Sequence, residues 1–147
     1  MISTFKNDLE IGKSVEEKIL NKIKKKYPKA YIIDGYFKDY DIYIPETDIS
    51  VEVKKDEKSK ETGNYVIEVE FNGKPSALST TKANYWVIYD GECEVWTTPL
   101  KIKESVKNLP IREFIGKGDT KSKKAYLCPK QLIKNNAEVV YEVHRNN

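Results

Sequence analysis

The sequence predicts an α/β fold in which one mixed β-sheet is flanked by helices. Three observations carry that expectation. An early segment repeats apolar residues at helical spacing, several short segments alternate apolar with polar residues, and "YWVIYDGECEVW" (85–96) has the form of a hairpin. The 147 residues suit a single domain with its own core, and neither an internal repeat nor a low-complexity linker divides them.

The elements follow in order. Ser14 and Glu17 form a capping-box pattern, and Val15, Ile19, Leu20, Ile23 and Tyr27 then recur at helical spacing. Pro28 limits the far end, so a helix is expected at about residues 15–26. "AYIID" (30–34), between Pro28 and Gly35, reads as a strand. Asp41–Ile44 and Ile49–Lys54 read as two more, joined by "PETD", which has turn chemistry. "KDEKSKETG" is a charged loop leading to the strand "NYVIEVEF", where Tyr65, Ile67, Val69 and Phe71 alternate with Val66, Glu68 and Glu70. "GKPSALSTTKAN" (73–84) reads as a loop with a short helix. Asp-Gly within 85–96 suits a type I′ turn, and Thr98 before Pro99 caps a second helix through about Leu109. The tail holds a basic loop, a strand near Tyr126, a short helix after Pro129 and a last strand, "EVVYEV".

Composition narrows the function. One third of the residues are charged, yet Val, Ile, Tyr and Trp are plentiful, which suits a folded protein better than a disordered one. No apolar run approaches a membrane span, and "MISTFKNDLE" lacks a signal peptide's apolar stretch. Two cysteines without a CxxC pair and one histidine, His144, argue against a Cys/His zinc site and for a reduced, cytoplasmic setting. His144, near the C-terminal end, is given no role. The net charge of +3 is mild, but "KIKKKYPK" (22–29), "KKDEKSK" (54–60) and "KGDTKSKK" (117–124) are lysine-dense. A solvated face accounts for any one such run; three in a small domain keep a nucleic-acid partner open.

The chemistry concentrates in "DYDIYIPETDISVEVKK" (39–55). If Ile44 pairs with Ile49, then Ile42 meets Val51 and Asp41 meets Glu52. Alternation then puts Ile42, Ile44, Ile49, Val51 and Val53 on one face and Asp41, Tyr43, Ser50, Glu52 and Lys54 on the other. Opposed acids repel, and at a cross-strand separation of about 4.5–5.5 Å they can share one cation. Oxygen donors without sulfur or imidazole favour Mg²⁺ or Mn²⁺. Lys54 follows on the same face, within reach of a water or a phosphate oxygen. A half-exposed strand with a solvated polar face is the plainer alternative, and a one-residue slip in register would part the two acids.

Asp41 followed by Glu52-Val53-Lys54 resembles the D…(D/E)-x-K signature of the PD-(D/E)XK nuclease superfamily, which includes type II restriction enzymes and archaeal Holliday-junction resolvases. Tyr40 stands where that signature carries its dispensable proline. "GKSVEEKIL" resembles the G-x-x-x-E opening of resolvase-like members, in which a helical Glu joins the metal site. The run from Glu52 to Asp90 resembles phage- and archaeal-virus-type members, with Ala77 and Asn84 where that run usually has Gly and Asp. The resemblance covers roughly residues 12–90.

It implies a restriction-endonuclease-like fold and a metal-dependent deoxyribonuclease. Glu16, Asp41, Glu52 and Lys54 are the expected catalytic residues. Asp41, Glu52 and the Val53 carbonyl are the expected metal ligands, and Glu68 is a candidate beside a second ion. Between the two helical acids, Glu17 can return to the cap N–H, whereas Glu16 borders the buried face and stands four residues after Gly12. Lys54 would orient the attacking water or neutralise charge on the phosphate. Ends bearing 5′-phosphate and 3′-hydroxyl are what the family implies. Thr80, Thr81 and Lys82, with Lys55, are the candidate DNA contacts, although Ser and Thr also simply make turns. Trp86 and Trp96 are expected to pack in the core. The expected activity is a Mg²⁺-dependent DNA endonuclease, selective for branched DNA or a Holliday junction, working as a homodimer in the cytoplasm (a host's, if the chain is viral). A non-cleaving DNA-binding module, a sequence-specific restriction enzyme, an end-processing exonuclease and a protein-binding structural role stay open.

Overall fold

The computed structural model describes residues 4–35, 38–115 and 120–143, with side chains in the first helix from Ser14 onward. His144 and the first part of the 117–124 basic run lie outside them. Helix α1 spans Thr4–Lys24. Strands β1 (Tyr31–Ile32), β2 (Ile42–Ile44) and β3 (Ile49–Lys55) follow, then α2 (Ser59–Thr62), β4 (Asn64–Phe71), β5 (Lys74–Pro75) and a 3-10 turn at Ala77–Ser79. Next come β6 (Tyr85–Tyr89), β7 (Cys93–Thr97), α3 (Pro99–Val106), β8 (Ile111–Ile115), β9 (Ser122–Pro129), α4 (Lys130–Asn135) and β10 (Val139–Glu142).

The expected α/β class, a mixed sheet with flanking helices, is present. The expectation of one sheet is corrected, because the strands divide into a six-stranded sheet ordered β1-β2-β3-β6-β7-β10 and a four-stranded antiparallel sheet ordered β5-β4-β9-β8. Among the described residues, only β3 and β6 pair in parallel within the larger sheet, and the long connection such a pairing requires holds β4 and β5 of the second sheet and the 3-10 turn. Val15, Ile19 and Ile23 of α1 pack with Ile42, Ile44, Val51 and Val87 on one face of the larger sheet. The other face carries Trp86, Ile88 and Val95, which pack against Tyr65, Ile67 and Cys128 of the second sheet and Ile102, Val106 and Ile133 of α3 and α4. Each fully buried aliphatic side chain contributes about 1.5–3 kcal/mol.

Several local expectations are corrected. α1 begins ahead of Ser14, so the capping-box pattern lies inside a helix: one glycine, Gly12, costs a helix only about 1 kcal/mol and does not stop it. The charged loop at 55–63 contains α2, ended by Gly63 in the left-handed conformation (φ 76°). The hairpin turn centres on Gly91-Glu92, not Asp-Gly. The Asp90 N–H donates to the Cys93 carbonyl at 3.1 Å, which leaves Gly91 and Glu92 as the two turn residues, and Gly91 has φ 88°, in the region that favours glycine. Asp90 instead turns its buried carboxylate onto the Glu92 and Cys93 N–H groups, at 2.8 and 2.6 Å. β8 is an addition to the expected elements. Thr98 does cap α3, its hydroxyl accepting from Lys101 N–H at 3.2 Å. Trp86 is buried facing the second sheet, while Trp96 packs on the α1 side.

Candidate metal and phosphate site

For three pairs the β2–β3 register is the one the alternation predicts, Ile42 with Val51, Tyr43 with Ser50 and Ile44 with Ile49. The expected Asp41–Glu52 pair is corrected, because β2 begins at Ile42 and leaves Asp41 outside the ladder. β3 therefore overhangs β2 from Glu52 to Lys55. Asp41 turns into this gap. Its N–H donates to the Val51 carbonyl at 3.0 Å, and its Oδ2 accepts the Val53 N–H at 2.7 Å. By the two-residue alternation of a strand, the Val53 carbonyl faces the same open edge as the Val53 N–H. Asp41 is buried, at 5% exposure.

Glu52 comes to the same side, and the two carboxyls are close enough to share a proton. The Glu52 carboxyl is pushed up to about 7 by burial and then by the charge of Asp41, against the pull of Lys54. Asp41 goes the other way. Burial raises it, but Lys38, the Val53 N–H and the Glu52 hydrogen bond together hold it below the ordinary aspartate value. Lys54 Nζ lies 3.2 Å from Glu52 Oε2 and 5.2 Å from the centre of the Trp86 ring.

Glu16, half-buried on α1, reaches the same cluster, while Glu17 is exposed. The face argument for Glu16 therefore holds, although the capping argument against Glu17 does not. Burial, then the charge of Asp41, raises the Glu16 carboxyl, with Lys38 opposing. Lys38 is the residue the sequence reading missed. Its Nζ stands 2.8 Å from Asp41 Oδ1 and 3.8 Å from Glu16 Oε1. Burial alone would lower this ammonium; the carboxylates of Asp41, Glu16 and Glu52 more than offset that and raise it.

A hollow of about 250 Å³ opens beside the cluster, lined by Lys38, Asp39, Glu52, Lys54, Glu68, Ala77, Thr80 and Thr81. Glu68 accepts the Ser76 hydroxyl at 2.8 Å. The expected shared face of Glu68 and Glu70 is corrected. A β-bulge sets them opposite adjacent β9 residues, Ala125 and Lys124, so they point to opposite sides, and Glu70 pairs with Lys124 at 3.2 Å. Thr80 is exposed at the rim. The Thr81 oxygen already accepts the Trp86 indole N–H at 3.0 Å. Lys82 does not line the hollow; it sits 3.8 Å from Asp39, with its side chain 70% exposed. Asn84 has a local role, its Oδ1 accepting the Ser50 N–H at 2.8 Å. Ala77 adopts φ 45°, in the left-handed region that favours glycine.

Past Lys54, Glu68 and Ala77, a second hollow of about 460 Å³ adds Lys55, Lys58 and Lys123 to its rim, over a floor that includes Tyr65 and Ile67. Lys55 is 3.9 Å from Glu57. Lys58 and Lys123 come from two lysine-dense stretches far apart in sequence.

Among the described residues, no three His, Cys, Asp or Glu side chains form a ready-made metal cage. The donors present nonetheless fit Mg²⁺, which takes one or two carboxylates and keeps water in its remaining positions. Asp41, Glu52 and the Val53 carbonyl would hold it. Among the described residues, no helix is long and apolar enough to cross a membrane. Comparison of the chain with protein-family models, curated proteins and solved structures returned no match.

Proposed function

We propose that the chain is a Mg²⁺-dependent DNA endonuclease of the PD-(D/E)XK type, hydrolysing phosphodiester bonds. The observation that carries this reading is the meeting of the Asp41 and Glu52 carboxyls at the open edge of β3, with Lys54 3.2 Å from Glu52. A bound Mg²⁺ supplies an activated water and charge compensation at phosphate. Asp41 and Glu52 hold the ion, the Asp41 side chain being fixed by the Val53 N–H at 2.7 Å. Lys54 faces the reacting phosphate and balances the charge that develops on its oxygens. Glu68, hydrogen-bonded to Ser76, borders the same hollow and would steer Lys54 or a second ion.

DNA as the partner is supported by the lysines along the larger hollow. Lys54, Lys55, Lys58 and Lys123, which line that hollow together with Asp56 and Glu68, would supply cationic contacts to a strand's phosphates. Thr80 adds a hydroxyl at the rim. Selectivity for branched DNA and a homodimeric state belong to the same reading, since two nicks in a symmetric junction need two sites. The free cysteines Cys93 and Cys128 suit the cytoplasm.

The test presents linear, nicked, single-stranded and four-way-junction DNA with Mg²⁺ or with EDTA. Mg²⁺-dependent cutting, fastest on the junction, is expected. Binding without metal-dependent cutting of any substrate would select the non-cleaving module instead. Cutting confined to linear DNA, by a protein sedimenting as a monomer, would remove the junction version.

A further inference from the structure

This inference rests on the reading of Asp41 and Glu52 as ligands of a divalent cation. We propose that Lys38 is an internal counter-ion: it occupies the acidic cluster while no divalent cation is bound, and it must leave Asp41 for the cation to bind there. Lys38 and the ion would compete for the same oxygens.

The geometry supports exclusion over coexistence. Asp41 has its Oδ2 on the Val53 N–H and its Oδ1 on Lys38 at 2.8 Å. A cation coordinated by Asp41 would lie within a few ångströms of that ammonium, in a site whose aspartate is 5% exposed and poorly screened. Glu16 lies 3.8 Å from the same ammonium and within hydrogen-bonding reach of Asp41, so it belongs to the cluster that Lys38 neutralises. Charge points the same way. The carboxylates of Glu16, Asp41 and Glu52 balance Lys54 plus a divalent ion, whereas a docked Lys38 would leave an excess positive charge. Lys38 also has somewhere to go. It lies outside any helix or strand, its side chain is 27% exposed, and it lines the hollow it shares with Lys54, Glu68 and Thr80. Released there, the ammonium would face incoming phosphate, so cation binding would both open the site and present a new anion contact.

The consequence is a weakened apparent affinity for the ion, reduced by the fraction of molecules in which Lys38 is undocked. Mn²⁺ and Mg²⁺ binding to wild type, Lys38→Met and Lys38→Arg is measured by calorimetry without DNA. Lys38→Met should bind about tenfold tighter or more, a change of about 1.4 kcal/mol, and Lys38→Arg should stay near wild type. In parallel, reductive methylation of the wild-type protein is followed by mass spectrometry with and without Mg²⁺. Lys38 should label faster when the ion is present, with exposed Lys58 as the reference. This arm decides the matter if Lys38→Met fails to fold. Unchanged or weaker binding by folded Lys38→Met, or Lys38 labelling that stays constant or falls with Mg²⁺, overturns the counter-ion role and leaves the metal reading standing. Absence of ion binding by wild type and both variants removes that reading itself, and this inference with it.

Discussion

Asp41 is anchored by a backbone N–H at 2.7 Å and an ammonium at 2.8 Å, so its removal strands donors as well as deleting a ligand. Asp41→Ala should lower stability by about 1–3 kcal/mol in urea denaturation, in addition to any loss of activity. A stability change near zero would mean the carboxylate is not held as described. A second buried acid contributes to the response to low pH. Burial pulls the Asp90 carboxyl up, but the Tyr65 hydroxyl, the Cys93 and Glu92 N–H groups and Lys134 hold it below the ordinary aspartate value of 3.8. A lowered carboxyl contributes stability that is full above its unfolded value and is lost as pH falls through the folded one. Asp90→Asn should therefore flatten the acid limb of a stability–pH curve below about pH 4, and an unchanged limb would contradict the network. Lys38 was not legible beforehand, because it lies outside any helix or strand, where no periodicity places a side chain. Glu52 and Lys54 could be placed on one face beforehand, because alternation along a strand is local, whereas Asp41 lies one residue outside the ladder and is held by the Val51 carbonyl and the Val53 N–H.

Among the elements, the later half of α1 and the strands β2, β3, β6 and β7 could be read from spacing, and the Thr98 cap from Thr before Pro. The bulge in β4 could not, since an extra residue leaves the alternation of "YVIEVE" intact and appears only against its partner β9. β8 escaped because "IREFI" keeps neither a strand nor a helical period. The two-residue turn was displaced by one position because Asp90, whose buried side chain serves the turn from outside, looks like a turn residue itself. Ala77, at φ 45°, gives a prediction at this scale. A left-handed residue with a Cβ costs roughly 1–2 kcal/mol, partly offset by the unfolded-state entropy that glycine adds. Ala77→Gly should stabilise the protein by about 0.5–1 kcal/mol, read from the urea midpoint; a loss of stability would show that the turn is unstrained.

For the whole molecule, the α/β class was legible from the mixture of periods, whereas the split into two sheets depends on strand partners distant in sequence. That split sets β4 and β9 across from the larger sheet and brings Lys58 and Lys123 to one hollow beside the acids. If that hollow guides DNA, Lys58→Ala with Lys123→Ala should weaken binding on every sequence alike and reduce the slope of log K against log salt by about 2. An unaltered slope would place the DNA elsewhere. The account as a whole depends on a divalent ion held between Asp41 and Glu52. Its most direct test is the cleavage rate of wild type and Glu52→Gln on one DNA substrate, in Mg²⁺ and in EDTA. Cleavage should stop in EDTA and fall at least about a hundredfold in Glu52→Gln with the fold intact; cutting that survives both chelation and the substitution would contradict the account.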